Sequence, residues 1–109
     1  MRRIIFLFLL LNFNFIYTQN SFTISGYVQD NSNNELIIGA SVIVKELQIG
    51  TVTNNYGFFS LTLVEGDYDL IFQSLGFEDQ SLNFNLNKNI SVNIFLNEKI
   101  ESLDEVILS

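Results

Sequence analysis

From residue 22 onward, apolar and polar side chains alternate along the chain in short runs that are separated by glycine, asparagine and aspartate. Alternation with a period of two places the apolar side chains on one face of a β-strand, whereas an α-helix requires a period of 3.6. In residues 57–63, for example, Phe59, Leu61 and Leu63 alternate with polar or outward-facing neighbours. Because turn residues recur about every ten positions, the pattern is typical of an all-β sandwich or barrel.

Seven runs of this kind can be counted between residues 22 and 96, and the segment after them is charged and loses the alternation. Each run has one apolar face to bury, and two stacked sheets are the simplest arrangement that buries all of them. The sequence therefore predicts a seven-stranded β-sandwich. The side chains predicted to face inward are Phe22, Ile24, Gly26, Val28, Ala40, Val42, Val44, Phe59, Leu61, Leu63, Tyr68, Leu70, Phe72, Leu82, Phe84, Leu86, Val92, Ile94 and Leu96.

The N-terminus has the layout of a secretory signal peptide. Arg2 and Arg3 precede an apolar run over residues 4–11, and asparagines dilute the apolar character before a polar step at residues 17–19. A retained membrane anchor is the alternative, but a spanning helix needs about 20 mostly apolar residues, and the asparagines interrupt the stretch earlier. We expect residues 1–19 to be the signal peptide and the protein to be exported to the periplasm or the outer membrane.

Histidine and cysteine are both absent from the chain. Serine–histidine–aspartate and cysteine–histidine nucleophiles, histidine bases and the usual zinc sites are therefore impossible, and a disulfide cannot support the fold. The core must hold the domain together alone, and eleven phenylalanines in a chain that is 48% hydrophobic supply the material for it. The sequence predicts a protein that is not an enzyme, has no catalytic residue and uses no cofactor.

Net charge restricts the partners. The formal charge is −7, and removal of Arg2 and Arg3 leaves three lysines against twelve acidic residues, a net charge of −9. Nucleic acid and anionic membrane surfaces would repel such a domain. We expect no nucleic-acid partner.

Two groups of outward side chains are candidates for binding. Asp67 and Asp69 share a strand face, with Glu65, Glu78 and Asp79 near them in sequence; this is either a solvated acidic face or, less favoured, a calcium site. We expect no metal ligand there. Tyr27, Tyr56 and Phe58 could stack on a sugar ring or a protein partner, or they could form cross-strand pairs that stabilise the sheet.

Four motifs follow one another in a specific order: GYVQD at 26–30, ELIIGASVIVKE at 35–46, GTVTNNYGFFSL at 50–61 and EGDYDLIFQSLGFEDQ at 65–80. Their order and spacing resemble those of the carboxypeptidase-regulatory-like domain. The resemblance covers about residues 22–98. It implies a transthyretin-like (prealbumin-like) antiparallel sandwich over residues 20–98, of the kind found at the N-terminus of SusC-like TonB-dependent outer-membrane receptors.

The tail adds to this resemblance. Residues 99–109 resemble the lead-in to a TonB box, and the side chains expected to bind a partner are Leu103, Asp104, Glu105, Val106, Ile107 and Leu108. The resemblance implies a non-catalytic periplasmic accessory domain of a nutrient receptor, truncated or split, which serves assembly or energy coupling. Its partners would be the receptor plug and barrel and a TonB-type protein, and it would meet the outer membrane only through the rest of a receptor. A stand-alone secreted module that binds glycan or protein is the alternative.

Overall fold

The computed structural model of the chain describes residues 19–100, and within this range it contains seven strands and no helix. Residues 1–18 of the predicted signal peptide lie outside the described residues, as do 101–109. Nowhere between residues 19 and 100 is there a helix with the length and hydropathy that crossing a membrane requires. The strands are β1 (Ser21–Asp30), β2 (Ser41–Val44), β3 (Ile49–Val52), β4 (Phe58–Val64), β5 (Gly66–Gln73), β6 (Gln80–Leu86) and β7 (Ile90–Leu96).

The strands form two stacked sheets, which confirms the predicted sandwich. One sheet has three strands in the order β4-β1-β7, and the other has four in the order β3-β2-β5-β6. Of the neighbouring strand pairs within the described residues, four are antiparallel, and β1 with β7 is parallel. Parallel neighbours need a long connection, and here the whole of β2 to β6 supplies it.

The core lies between the sheets and consists mainly of side chains that the alternation predicts to face inward, together with Ile37 from the segment between β1 and β2. Phe59 on β4 and Phe72 on β5 meet edge-to-face across the core, with ring centroids 5.4 Å apart, and burial of each stabilises the fold by roughly 2 to 3 kcal/mol. Four other side chains predicted to face inward are only partly buried: Phe22, Leu82, Phe84 and Val92. The buried apolar residues are Ile24, Val28, Ile37, Ala40, Val42, Val44, Phe59, Leu61, Leu63, Tyr68, Leu70, Phe72, Leu86, Ile94 and Leu96.

Gly26 allows β1 and β7 to approach each other closely. It pairs with Val92 across the parallel ladder, and a Cβ added to Gly26 would overlap the Val92 carbonyl oxygen. A side chain at this position would push the strands apart. Gly50 in β3 has a similar constraint, because an added Cβ would come within 2.5 Å of the Val42 carbonyl oxygen.

Thr53 explains one polar position of the motif at 50–61. Its hydroxyl is buried, donates to the Ile37 carbonyl at 2.6 Å and accepts from the Ala40 amide at 2.9 Å. The side chain thereby satisfies two backbone groups of the segment that leads into β2, which would otherwise be buried without partners.

Candidate functional site

The chain leaves the sandwich at the C-terminal end of β7, and residues 97–100 form what we call the exit segment. Its backbone is held on two sides. The Asn31 backbone amide donates to the carbonyl of Leu96, the last residue of β7, and the Asn31 side-chain amide donates to the side-chain oxygen of Asn97 at 2.9 Å. On the other side, the Glu78 amide donates to the Asn97 carbonyl, and the Lys99 amide donates to the Gly76 carbonyl, each at 2.8 Å.

Two acidic side chains meet at the exit segment. Asp30, buried at the end of β1, accepts hydrogen bonds from the amide and hydroxyl of Ser32 at 2.9 and 2.7 Å, and these bonds lower the pKa of its carboxyl. Glu98 lies beside it, and a hydrogen bond to Asp30, together with the repulsion of its charge, raises the pKa of Glu98 above its ordinary value. The titrations of the two carboxyl groups are therefore linked.

Apolar side chains are exposed at this same end. Residues 74–77 form a turn in which the Phe77 amide donates to the Ser74 carbonyl at 3.0 Å, and Gly76 adopts a positive φ of 85°. Leu75 stands at the tip of the turn with 99% of its surface exposed, and Ile100 is 93% exposed. The exit end thus combines a fixed backbone with apolar side chains that the sandwich does not cover.

The outer surface of the three-stranded sheet, which we call the neutral face, has no charged side chain. Tyr27 and Phe58 pair across β1 and β4 with ring centroids 5.2 Å apart, as expected for a cross-strand pair, and Tyr27 remains 42% exposed. Phe95 extends the apolar part along β7. The outward side chains are Ser21, Thr23, Ser25, Tyr27, Gln29, Phe58, Ser60, Thr62, Val64, Ser91, Asn93 and Phe95.

A shallow depression of about 160 Å³ lies in the neutral face. Serine side chains at Ser25 and Ser91 leave space over the parallel strands β1 and β7, and the aromatic pair and Asn93 form its walls. The lining residues are Ser25, Gly26, Tyr27, Phe58, Ser91, Val92 and Asn93.

The outer surface of β5 and β6, which we call the acidic face, carries the carboxylates Asp67 and Asp69. Asn85 donates to Asp67 at 2.7 Å, and Asn83 donates to Asp69 at 2.6 Å, across the two strands. Gln73 donates to Asp79 in the same way at 3.0 Å. Within residues 19–100 no group of three or more histidine, cysteine or acidic side chains is arranged to hold a metal ion.

The structure does not bring the predicted partner-binding residues together, because Leu103, Asp104, Glu105, Val106, Ile107 and Leu108 all lie outside the described residues. Tyr56 is separate from the aromatic pair, on the turn before β4, and is 72% exposed. Sequence reasoning missed the contact of Asp30 with Glu98. No local sequence pattern indicates this contact, because the two residues meet only when β1 and β7 lie side by side.

Residues 24–108 match the CarboxypepD_reg-like domain. The chain is 34% identical over 86 residues to the TonB-dependent receptor SusC of Bacteroides thetaiotaomicron and 36% identical over 72 residues to the TonB-dependent receptor P39 of Formosa agariphila. These alignments cover 79% and 66% of this chain but only 8% and 7% of the receptors.

Among solved structures, a catechol 1,2-dioxygenase mutant of Acinetobacter radioresistens superposes with a TM-score of 0.64. The superposition covers 77% of this chain and 54% of the dioxygenase, at 12% sequence identity. A likeness at this identity shows a shared fold and carries no activity to this chain.

Proposed function

The chain belongs to the CarboxypepD_reg-like domain family, and we propose that it acts as a non-catalytic accessory domain of a TonB-dependent outer-membrane receptor. Its similarity to two receptors of this class carries the proposal. Since the chain spans less than a tenth of either receptor, the plug and barrel that transport a nutrient would be other parts of such a receptor.

In this proposal, residues 1–19 direct export, residues 20–98 fold as the periplasmic sandwich and residues 99–109 lead into the segment that binds a TonB-type protein. Two features support the boundaries: β1 begins at Ser21, and Glu98 still pairs with Phe77 as an isolated bridge. The absence of histidine and cysteine from the chain supports a role without catalysis.

In this proposal, the exit segment determines where the tail leaves the sandwich. Hydrogen bonds from Asn31, Glu78 and Lys99 fix its direction, so the chain beyond Ile100 starts from a defined point on a rigid domain. A short apolar stretch such as Val106 to Leu108 can add as a strand to the edge of a partner sheet, where backbone hydrogen bonds provide the affinity. The sandwich would act as the mount from which this segment reaches the energy-coupling protein.

A pull-down with the periplasmic domain of a TonB-type protein tests the coupling role. The full chain is expected to bind, and a variant lacking residues 103–109 is expected to lose binding. A second variant, in which Val106, Ile107 and Leu108 are replaced by serine, keeps the length and charge of the tail and is also expected to lose binding. Ser81→Ala, on the acidic face, is the matched control.

Unchanged binding by the variant that lacks residues 103–109 would remove the coupling role. Circular dichroism of each variant establishes that the sandwich is intact, since the deletion leaves the seven strands of residues 19–100 in place. A role in receptor assembly would then be the remaining form of the proposal, to be tested by the amount of receptor that reaches the outer membrane when the domain is deleted.

A further inference from the structure

We propose that the depression in the neutral face is a binding site for one ring of a neutral sugar chain. The site combines an aromatic wall, formed by Tyr27 and Phe58, with hydroxyl and amide groups from Ser25, Ser91 and Asn93. An apolar surface packs against the C–H face of a pyranose ring, and polar groups around it bond to the ring hydroxyls. This inference is independent of the receptor role and of the tail.

The polar groups of the depression are available to a ligand. Within residues 19–100, the side chains of Ser25, Ser91, Asn93 and Tyr27 make no hydrogen bond to other protein groups, whereas Thr23 and Thr62 on the same face bond to each other at 2.8 Å. Hydroxyl and amide groups both donate and accept, as sugar hydroxyls do. A polyhydroxylated ligand can therefore replace water at these groups without breaking a bond inside the protein.

Charge selects a neutral ligand. The neutral face offers no lysine or arginine to an anionic sugar, and the chain as a whole carries a formal charge of −7. Carboxylated or sulfated sugars would be repelled over the range of the Debye length, about 8 Å at physiological salt. An uncharged sugar needs no cationic partner and is not repelled by the charge of the chain.

Composition favours a sugar over a protein partner. Protein interfaces are depleted in serine relative to the rest of the surface, but serine lines this depression on both strands. Its volume of about 160 Å³ is also below the roughly 300 to 1,000 Å³ of pockets that enclose a whole ligand. The depression suits a single ring of a longer chain that continues across the sheet.

Chemical-shift mapping on the ¹⁵N-labelled full chain tests the proposal. The probes are maltohexaose, cellohexaose and xylohexaose, with hexagalacturonate as the anionic comparison. At least one neutral probe is expected to shift the amide signals of residues 25–28, 58 and 91–94, with a dissociation constant on the order of 1 mM for one seated ring. Hexagalacturonate is expected to cause no such shifts.

Two variants test the assignment of the site. Tyr27→Ala removes part of the aromatic wall and is expected to weaken binding about tenfold. Because Tyr27 also packs against Phe58, Asn93→Ala provides a second variant: Asn93 is exposed and its loss is expected to weaken binding about fivefold without affecting the fold. Ser81→Ala on the opposite surface and the variant that lacks residues 103–109 are expected to bind as the unaltered chain does.

Each contrary result overturns the proposal. One is the absence of shifts with any neutral probe at about 20 mM, well above the expected dissociation constant. The others are shifts located on the acidic face or at the exit end, equal binding of hexagalacturonate, and unchanged affinity of Asn93→Ala. Loss of TonB binding on deletion of the tail has no bearing on these outcomes, so the two proposals fail separately.

Discussion

The two outer faces of the sandwich satisfy their polar groups in different ways. On the acidic face, Asp67 and Asp69 each accept a hydrogen bond from an asparagine on the neighbouring strand. On the neutral face, Ser25, Ser91 and Asn93 surround an aromatic pair and make no side-chain hydrogen bond within the described part of the chain. The carboxylates of the acidic face have partners within the protein, whereas the hydroxyl and amide groups of the depression have none among the described residues.

The carboxylate–amide pairs of the acidic face stabilise the sheet, whereas the depression in the neutral face carries the polar groups that the proposed sugar site requires. A cross-strand carboxylate–amide pair contributes to the stability of the sheet itself. Unpaired hydroxyl and amide groups beside aromatic rings contribute little until another molecule supplies the bonds. The following predictions test this contrast.

Gly26→Ala should break the neutral face and have the largest effect. An added Cβ would overlap the Val92 carbonyl oxygen, so β7 must move away from β1. Overpacking of a rigid site of this kind costs about 3 kcal/mol, which we expect as a loss in the free energy of unfolding measured with denaturant. Gly66→Ala is the control, because its added Cβ would meet nothing closer than 3.7 Å. Equal stability of the two variants would contradict the close approach of β1 and β7.

A pair of double-mutant cycles should sharpen the contrast between the faces. Asp69→Ala and Asn83→Ala remove two groups that bond at 2.6 Å, and their coupling energy is expected to be about 0.5 to 1 kcal/mol. Ser25→Ala and Ser91→Ala also change neighbours across a strand pair, but their coupling should lie within about 0.3 kcal/mol of zero. Comparable coupling in both cycles would remove the distinction.

Glu98→Gln should have the smallest effect on stability, and the size of this effect should depend on pH. The substitution converts the carboxyl pair at the exit segment into a carboxylate–amide pair of the kind found on the acidic face. Because the pKa of Glu98 is raised above its ordinary value of 4.5, the stability that its protonated form provides is present below pH 4.5 and is lost as the pH rises through the raised pKa. An amide loses nothing with rising pH.

We therefore expect the Tm of Glu98→Gln to exceed that of the unaltered chain slightly at pH 7 and to equal it near pH 4. The lowered pKa of Asp30 has the opposite effect on stability in both proteins. It stabilises the fold above pH 3.8, the ordinary pKa of the carboxyl, and this stability is lost as the pH falls further. Glu65→Gln, at an exposed turn, controls for the change in net charge. A Tm difference that is the same at pH 4 and pH 7 would contradict the raised pKa of Glu98.

The sequence predicted the strands and their inward faces because both depend on a local period of two. Phe59, Leu61 and Leu63, for instance, are buried as the alternation requires. These features need only a few consecutive residues to be recognised.

Contacts between distant segments could not be predicted in the same way. The parallel pairing of β1 with β7 determines the close approach at Gly26, the contact of Asp30 with Glu98 and the bond from Asn31 to Asn97. The absence of charge from the outward positions of β1, β4 and β7 is visible in the sequence, but it becomes a surface only when these strands are known to share a sheet.

We propose that the sandwich does no chemistry and presents the chain from its exit end. Titration of the ¹⁵N-labelled full chain with a TonB-type periplasmic domain tests this most directly. We predict amide shifts in residues 101–109 and at the exit end, in residues 75–78 and 97–100, with the neutral and acidic faces unchanged. Shifts confined to either face, or none at all, would contradict the account.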